Sequence, residues 1–173
     1  MLSENLQKAL NEQINAEYHS AYLYLSMASY LDSINLDGCA HWMQIQAQEE
    51  LMHGMKIYNY ILERGGRVLL QSVEGPPTEW PSVQAAFEAA QKHEIMMTDR
   101  VNDLANLAQA EKDNATNNLM QWFVNEQVEE EATVDDIVQK IRLLGGQGPG
   151  LFMIDRELKA RTFVPLDSAG SGT

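Results

Sequence analysis

Four stretches of this sequence repeat apolar residues at alternating intervals of three and four, and each is broken near its middle by an acid. The first seam reads Leu10, Ile14, Glu17, Ala21, Tyr24, Ala28, Leu31, and the second Cys39, Met43, Gln46, Glu50, His53, Ile57, Tyr60. The third reads Phe87, Ala90, Glu94, Met97, Val101, Leu104, Ala108, and the fourth Met120, Phe123, Gln127, Glu130, Val134, Ile137, Ile141. This spacing traces the face that an α-helix turns toward a core. A carboxylate on such a face loses its hydration and has to be neutralised, paired or bound to a metal. Four acids in register imply one shared polar site inside a helical bundle.

Capping residues and breakers delimit the helices. The first is expected from Glu4 to Leu31 behind Ser3, and the second from Gly38 to Arg64, stopped by Gly65-Gly66. The third runs from Val83 to Glu111 behind Ser82, and the fourth from Asp113 to Leu144 before Gly145-Gly146. Pro149 opens a short fifth helix through Lys159. Pro76, Pro77 and Pro81 keep the segment from Gly65 to Pro81 out of helix. The connections within each successive pair are short, so each pair is antiparallel. The middle connection reaches roughly 55 Å at its maximum of about 3.3–3.6 Å per residue. Helices of this class span roughly 40 Å. It can therefore cross the full height of the bundle and leave the second and third helices parallel. The fold class is all-α: a four-helix bundle with one long crossover and a short C-terminal fifth helix. Residues 1–167 are expected to form one domain, and the small polar tail 168–173 to lack regular structure.

Composition narrows the functions. With a net charge of −13 and no basic patch, the 173-residue chain is unsuited to nucleic acid and suited to attracting cations. Cys39 has no partner for an internal disulfide and, on a helix seam, acts as a small buried hydrophobe. No apolar run approaches the roughly 20 residues needed to span a bilayer. Glu4, Lys8 and Glu12 make the N-terminus an amphipathic helix start rather than a secretory leader, so a cytoplasmic location is expected.

Glu50 and His53 form a Glu-x-x-His pair on one helix face, the carboxylate–imidazole unit of di-metal bundles when single Glu residues join it from other helices. Glu17, Glu94 and Glu130 are those residues. Four carboxylates balance two divalent cations, which is how a buried acid cluster becomes tolerable. Oxygen donors with one imidazole suit iron or manganese, and zinc also binds. The bland alternative is a metal-free polar network sharing protons. His53 is the one candidate cation on the four seams.

The chain resembles the non-haem bacterial and archaeal ferritins over nearly its whole length. The match lies in Gln13-Ile14-Asn15-Ala16-Glu17-Tyr18, Gln48-Glu49-Glu50-Leu51-Met52-His53, Glu94 and Glu126-Gln127-Val128-Glu129-Glu130-Glu131. The resemblance implies iron storage and detoxification through a ferroxidase centre using dioxygen or peroxide. One iron would lie between Glu17, Glu50 and His53, and a second between Glu50, Glu94 and Glu130, with Glu50 bridging and Gln127 beside the second. It further implies a third iron near Glu49, Glu126 and Glu129, for which the bland reading is a solvated helix face. Tyr24 and Trp122 would stand close to the irons as electron donors, against a plain role in aromatic packing. His19, His41 and His93 are expected to play no part in metal binding, and Glu131 is expected on the surface.

Departures from relatives sharpen the expectation. A single cysteine excludes the four-cysteine module of rubrerythrins. Leu51 stands where bacterioferritins carry a haem-ligating Met, and Glu130 where they carry His, so no haem is expected. Asn117 and Met120 align where animal ferritins place channel acids.

The first two helices carry a second apolar stripe, Tyr18, Tyr22, Leu25 and Leu51, Met55, Tyr58, Leu62, which calls for an isologous dimer. The resemblance extends that dimer to a 24-subunit cage, with Leu151 to Ile154 packing at a further symmetry axis. Two rival functions stand beside storage: a discrete di-iron or di-manganese enzyme acting on a small molecule, and a bundle that buffers metal or is purely structural.

Overall fold

The computed structural model describes residues 2–165. The expected polar tail 168–173 lies outside the described residues. The chain forms α1 (Glu4–Ser33), α2 (Asp37–Glu63), α3 (Val83–Ala110), α4 (Asn114–Leu144) and α5 (Gly148–Leu158), with no strand among the described residues.

The caps act as their chemistry requires. Leu6 N–H donates to Ser3 Oγ at 3.1 Å, and Ala85 N–H to Ser82 Oγ at 3.1 Å. Asp113, expected as the first residue of the fourth helix, is instead its N-cap and accepts from Thr116 N–H at 3.0 Å. Gly145 closes α4 in the left-handed conformation at φ 79°.

Cross-links between helices fix their directions. Asn11 near the start of α1 donates to the Arg67 carbonyl just beyond α2, 3.1 Å away, while Tyr18 reaches Met55 Sδ at 3.4 Å, so this pair is antiparallel. Gln91 to Asp135 at 2.7 Å and Arg142 to Glu88 at 2.8 Å make α3 and α4 antiparallel. Ser20 to His93 at 2.7 Å and Arg100 to the Glu12 carbonyl at 3.1 Å do the same for α1 and α3. Hence α2 and α3 run parallel, and the helix-free segment between them is the long crossover.

Every residue of the four seams is buried except Tyr60 and Glu130, which are half-buried. The apolar residues form two clusters. One, around Met27, Met43, Phe87 and Ile141, lies toward α5. The other, around Leu10, Ile57, Leu104 and Phe123, lies toward the opposite end. Glu17, Glu50, His53, Glu94 and Gln127 belong to neither cluster and occupy the level between them.

The fifth helix docks on the start of α2. Asp155 accepts from Cys39 N–H at 2.9 Å, and burial followed by the Asp155 charge raises the Cys39 thiol far above its usual range. Gly38 permits this approach, because a Cβ there would lie 1.7 Å from the Asp155 carbonyl oxygen. Leu151 to Ile154 do not act as one outward patch. Ile154 is buried in the chain's own core with Leu151 packed against it, leaving Phe152 and Met153 exposed. A short amphipathic helix has its own core-facing stripe, and that stripe is satisfied internally. Met120, aligned to a channel position, is likewise fully buried in the core.

Candidate metal centre

The seams deliver the five expected side chains to one point. Ligand atoms of Glu17, Glu50 and His53 lie within 4.8 Å of one another, as do those of Glu50, Glu94 and Glu130. Glu50 is common to both groups. His53 Nδ1 is 3.5 Å from Glu50 Oε2 and 3.9 Å from Glu130 Oε1. Ligand atoms gathered this closely allow an ion placed among them to reach several at once.

Side-chain amides orient the carboxylates. Gln13 Nε2 donates to Glu17 Oε1 at 2.9 Å. Gln46 Nε2 donates to Glu130 Oε1 at 3.2 Å and to Glu50 Oε1 at 3.4 Å. Gln127 Nε2 donates to Glu94 Oε2 at 3.3 Å, so Gln127 acts here on a ligand. The fully buried Tyr24 hydroxyl donates to Glu94 Oε1. Glu130 Oε2 is buried with no hydrogen-bond partner among the described residues. A buried carboxylate oxygen left unpaired is costly, and a cation relieves it.

The electrostatics agree. Burial, then the charges of Glu94 and Glu17, hold the Glu50 carboxyl well above the ordinary carboxylate range. Burial, then Glu50, does the same to Glu130. Glu94 is raised by burial and partly brought back by hydrogen bonds from Tyr24 and Gln127. Burial and mutual charge thus favour the protonated forms of Glu50 and Glu130, and a cation bound among them would displace those protons.

Trp122 stands edge-on to His53 with ring centroids 5.5 Å apart, and Lys56 Nζ lies over the Trp122 ring, 4.2 Å from its centroid. His93 is buried against Tyr24 and Ser20, and burial followed by the charge of His19 lowers it to about 4. His41 Nε2 bonds the Arg161 carbonyl at 2.9 Å. None of His19, His41 and His93 joins a potential metal-binding group among the described residues. Glu131, expected as plain surface, accepts from Thr98 Oγ1, which accepts from Gln127 Nε2 at 3.3 Å. It faces α3 across a cavity of about 610 Å³ that Ile95, Thr98, Gln127 and Glu131 line.

Glu49, Glu126 and Glu129 line a separate cavity of about 280 Å³ on the flank of the belt, with Gln46, His53, Glu130 and Arg161. They do not converge as the two buried groups do. Burial raises the carboxyls of Glu49 and Glu126. Gln13, Gln46, Thr98 and Arg161 are site neighbours that the sequence reading did not assign. Gln46 was signalled by its place on the second seam, whereas Arg161 lies beyond α5 and carries no periodic signal.

A ferritin-like domain model matches residues 7–144. A bacterial non-heme ferritin of Bacteroides fragilis is 44% identical over 161 residues, covering 93% of this chain and all of that protein. A probable bacterial non-heme ferritin-like protein of Haemophilus influenzae is 38% identical over 158 residues, covering 91% of this chain and 96% of its own length. Among solved structures, an open pore ferritin from Archaeoglobus fulgidus is 55% identical with a TM-score of 0.92, covering 93% of this chain and 98% of its own. A closed form of that ferritin, engineered by site-directed mutagenesis, is 55% identical with a TM-score of 0.93, covering 95% and 100%.

Proposed function

Because the chain belongs to the non-haem ferritin family, we propose that it stores and detoxifies iron by oxidising Fe(II) at the mid-bundle belt and passing the ferric product to a mineral inside a cage. The observation that carries this reading is the pair of ligand groups sharing Glu50. Iron is the substrate. Glu17, Glu50 and His53 hold one ion, and Glu50, Glu94 and Glu130 the other. Four carboxylates match the charge of two Fe(II), so loading offsets the mutual repulsion of the buried acids. The orphaned Glu130 Oε2 then gains a partner.

Each Fe(II) gives up one electron. The two electrons, with two protons, reduce dioxygen to hydrogen peroxide or peroxide to water. Anionic ligands favour the ferric product. Gln13, Gln46 and Gln127 keep the carboxylates aimed between the helices. Tyr24, bonded to Glu94, and Trp122, edge-on to His53, are placed to supply further electrons. Glu49, Glu126 and Glu129 offer a third iron position on the way out. No haem is involved.

The assembly follows from the second apolar stripe. Tyr22, Leu25, Leu51, Met55 and Leu62 are exposed on α1 and α2 and would be covered in an isologous dimer, the unit of a 24-subunit cage. Residues 1–167 act as one domain. Among the described residues no helix is long and apolar enough to cross a membrane, which suits a cytoplasmic protein.

Stepped aerobic addition of Fe(II) to the metal-free protein, followed by size-exclusion chromatography, tests the function. Storage predicts soluble ferric iron co-eluting with a large assembly far beyond the centre's own capacity. Saturation at two or three irons per chain, with precipitation beyond, would leave the metal centre and refute storage.

A further inference from the structure

The flank cavity already contains a cation. Arg161, on the segment that follows α5, turns back onto one stripe of α2. Its guanidinium ion-pairs with Glu49, donates to Gln46 Oε1 at 2.9 Å and lies 4.6 Å from the Trp42 ring centre. Its Nη1 is 3.5 Å from the Trp42 carbonyl, and its own carbonyl meets His41 Nε2 at 2.9 Å. Trp42, Gln46 and Glu49 recur at intervals of four and three, so one face of α2 receives the whole side chain. Both partners of the ion pair are mostly buried, with side chains 22% and 21% exposed. Val164 and Pro165, just downstream, line the same cavity.

Glu49 is thus held by the chain itself, while Glu126 and Glu129 face the same space from α4. Gln46 links this arrangement to the belt: its oxygen accepts from Arg161 while its nitrogen donates to Glu130 and Glu50. The guanidinium holds Glu49 Oε2, so a metal ion that takes this oxygen competes directly with Arg161.

We propose that Arg161 is the resident cation of the flank site, so that a third metal ion binds there only by displacing it, and the segment after α5 gates the passage of iron out of the belt. Arg161 is a positioning residue, since it acts through Glu49 and Gln46. This inference rests on the dinuclear reading of the belt. A charge-assisted, two-point contact of this kind weakens a competing cation by about tenfold.

Zinc(II) tests the gate without redox chemistry. Calorimetric titration of the assembled wild-type protein should give two tight ions per chain and a weaker third. Arg161→Gln should tighten the third about tenfold while both belt ions still bind more tightly than the third. Arg161→Lys, which keeps the charge, should stay closer to wild type, and adding Glu49→Gln to Arg161→Gln should cancel the gain. On the wild-type protein, amide hydrogen exchange of residues 161–164 should accelerate as the third ion binds, a readout independent of any variant's folding. An unchanged third affinity in Arg161→Gln, or exchange that slows or stays constant, would overturn the gate while two tight ions still support the belt. Fewer than two tight ions in the wild type would overturn the dinuclear reading and the gate together.

Discussion

Two polar clusters join α2 to α4, and they are built on opposite principles. At the bundle end, Arg64 forks onto Asp113 with contacts of 3.0 and 2.8 Å, Tyr60 bonds Thr116 at 2.8 Å, and Asp113 also caps α4. Each charge there has its opposite, and the Arg64 hydrogen bonds lower the Asp113 carboxyl to about 2. At mid-height, Glu50, Glu94 and Glu130 share one imidazole and are raised instead, with one oxygen orphaned. The first cluster is complete without any ligand. The second leaves acids without counter-charge, which bound cations would supply. Polar burial alone does not mark a functional site; polar burial that lacks its counter-charge does.

Substitutions should separate the two clusters. Glu50→Gln keeps the volume and removes the shared charge. Stopped-flow oxidation of Fe(II) should slow by at least about 100-fold, while the melting temperature of the metal-free protein holds or rises. A fall in metal-free stability with normal oxidation would reverse the assignment. Arg64→Ala should do the opposite, costing about 2 kcal/mol in denaturant unfolding because Asp113 is left unpaired, with the oxidation rate unchanged. Gln46→Leu removes an orienting donor from Glu130 and should slow oxidation by about tenfold; a rate at the wild-type level would confine Gln46 to packing.

The pH dependence divides them again, with the smallest effect. The Glu50, Glu94 and Glu130 carboxyls are raised in the folded state. Their contribution is therefore complete below the ordinary carboxyl range and is lost as pH rises through their folded values. Asp113 is lowered, so its contribution is present above the ordinary range and lost as pH falls toward about 2. The metal-free protein should melt highest in mild acid and lose a few degrees toward neutral pH. Zinc should abolish that loss. A melting temperature that rises from mild acid to neutral pH without metal would contradict the raised values.

Much of this was legible in the sequence because a helix face repeats with a period the eye can follow. The seam positions of Glu17, Glu50, His53, Glu94 and Glu130 predict both their burial and their common level. Gln13 was less visible because it lies one place before a seam residue, and a core-facing stripe is wide enough for a flanking side chain to reach inward. Arg161 was not visible at all. Its partner Glu49 lies 112 residues away, and the segment that carries it has no period. Four successive apolar residues, Leu151 to Ile154, do not reveal which side of a short helix meets the core, so the pattern alone does not separate buried Ile154 from exposed Phe152.

The central claim is that two ions share Glu50. Anomalous diffraction from crystals loaded with Fe(II) under anaerobic conditions tests it directly. The account predicts two peaks per chain, one among Glu17, Glu50 and His53 and one among Glu50, Glu94 and Glu130. A belt without anomalous density, with iron only beside Glu49, Glu126 and Glu129, would contradict it.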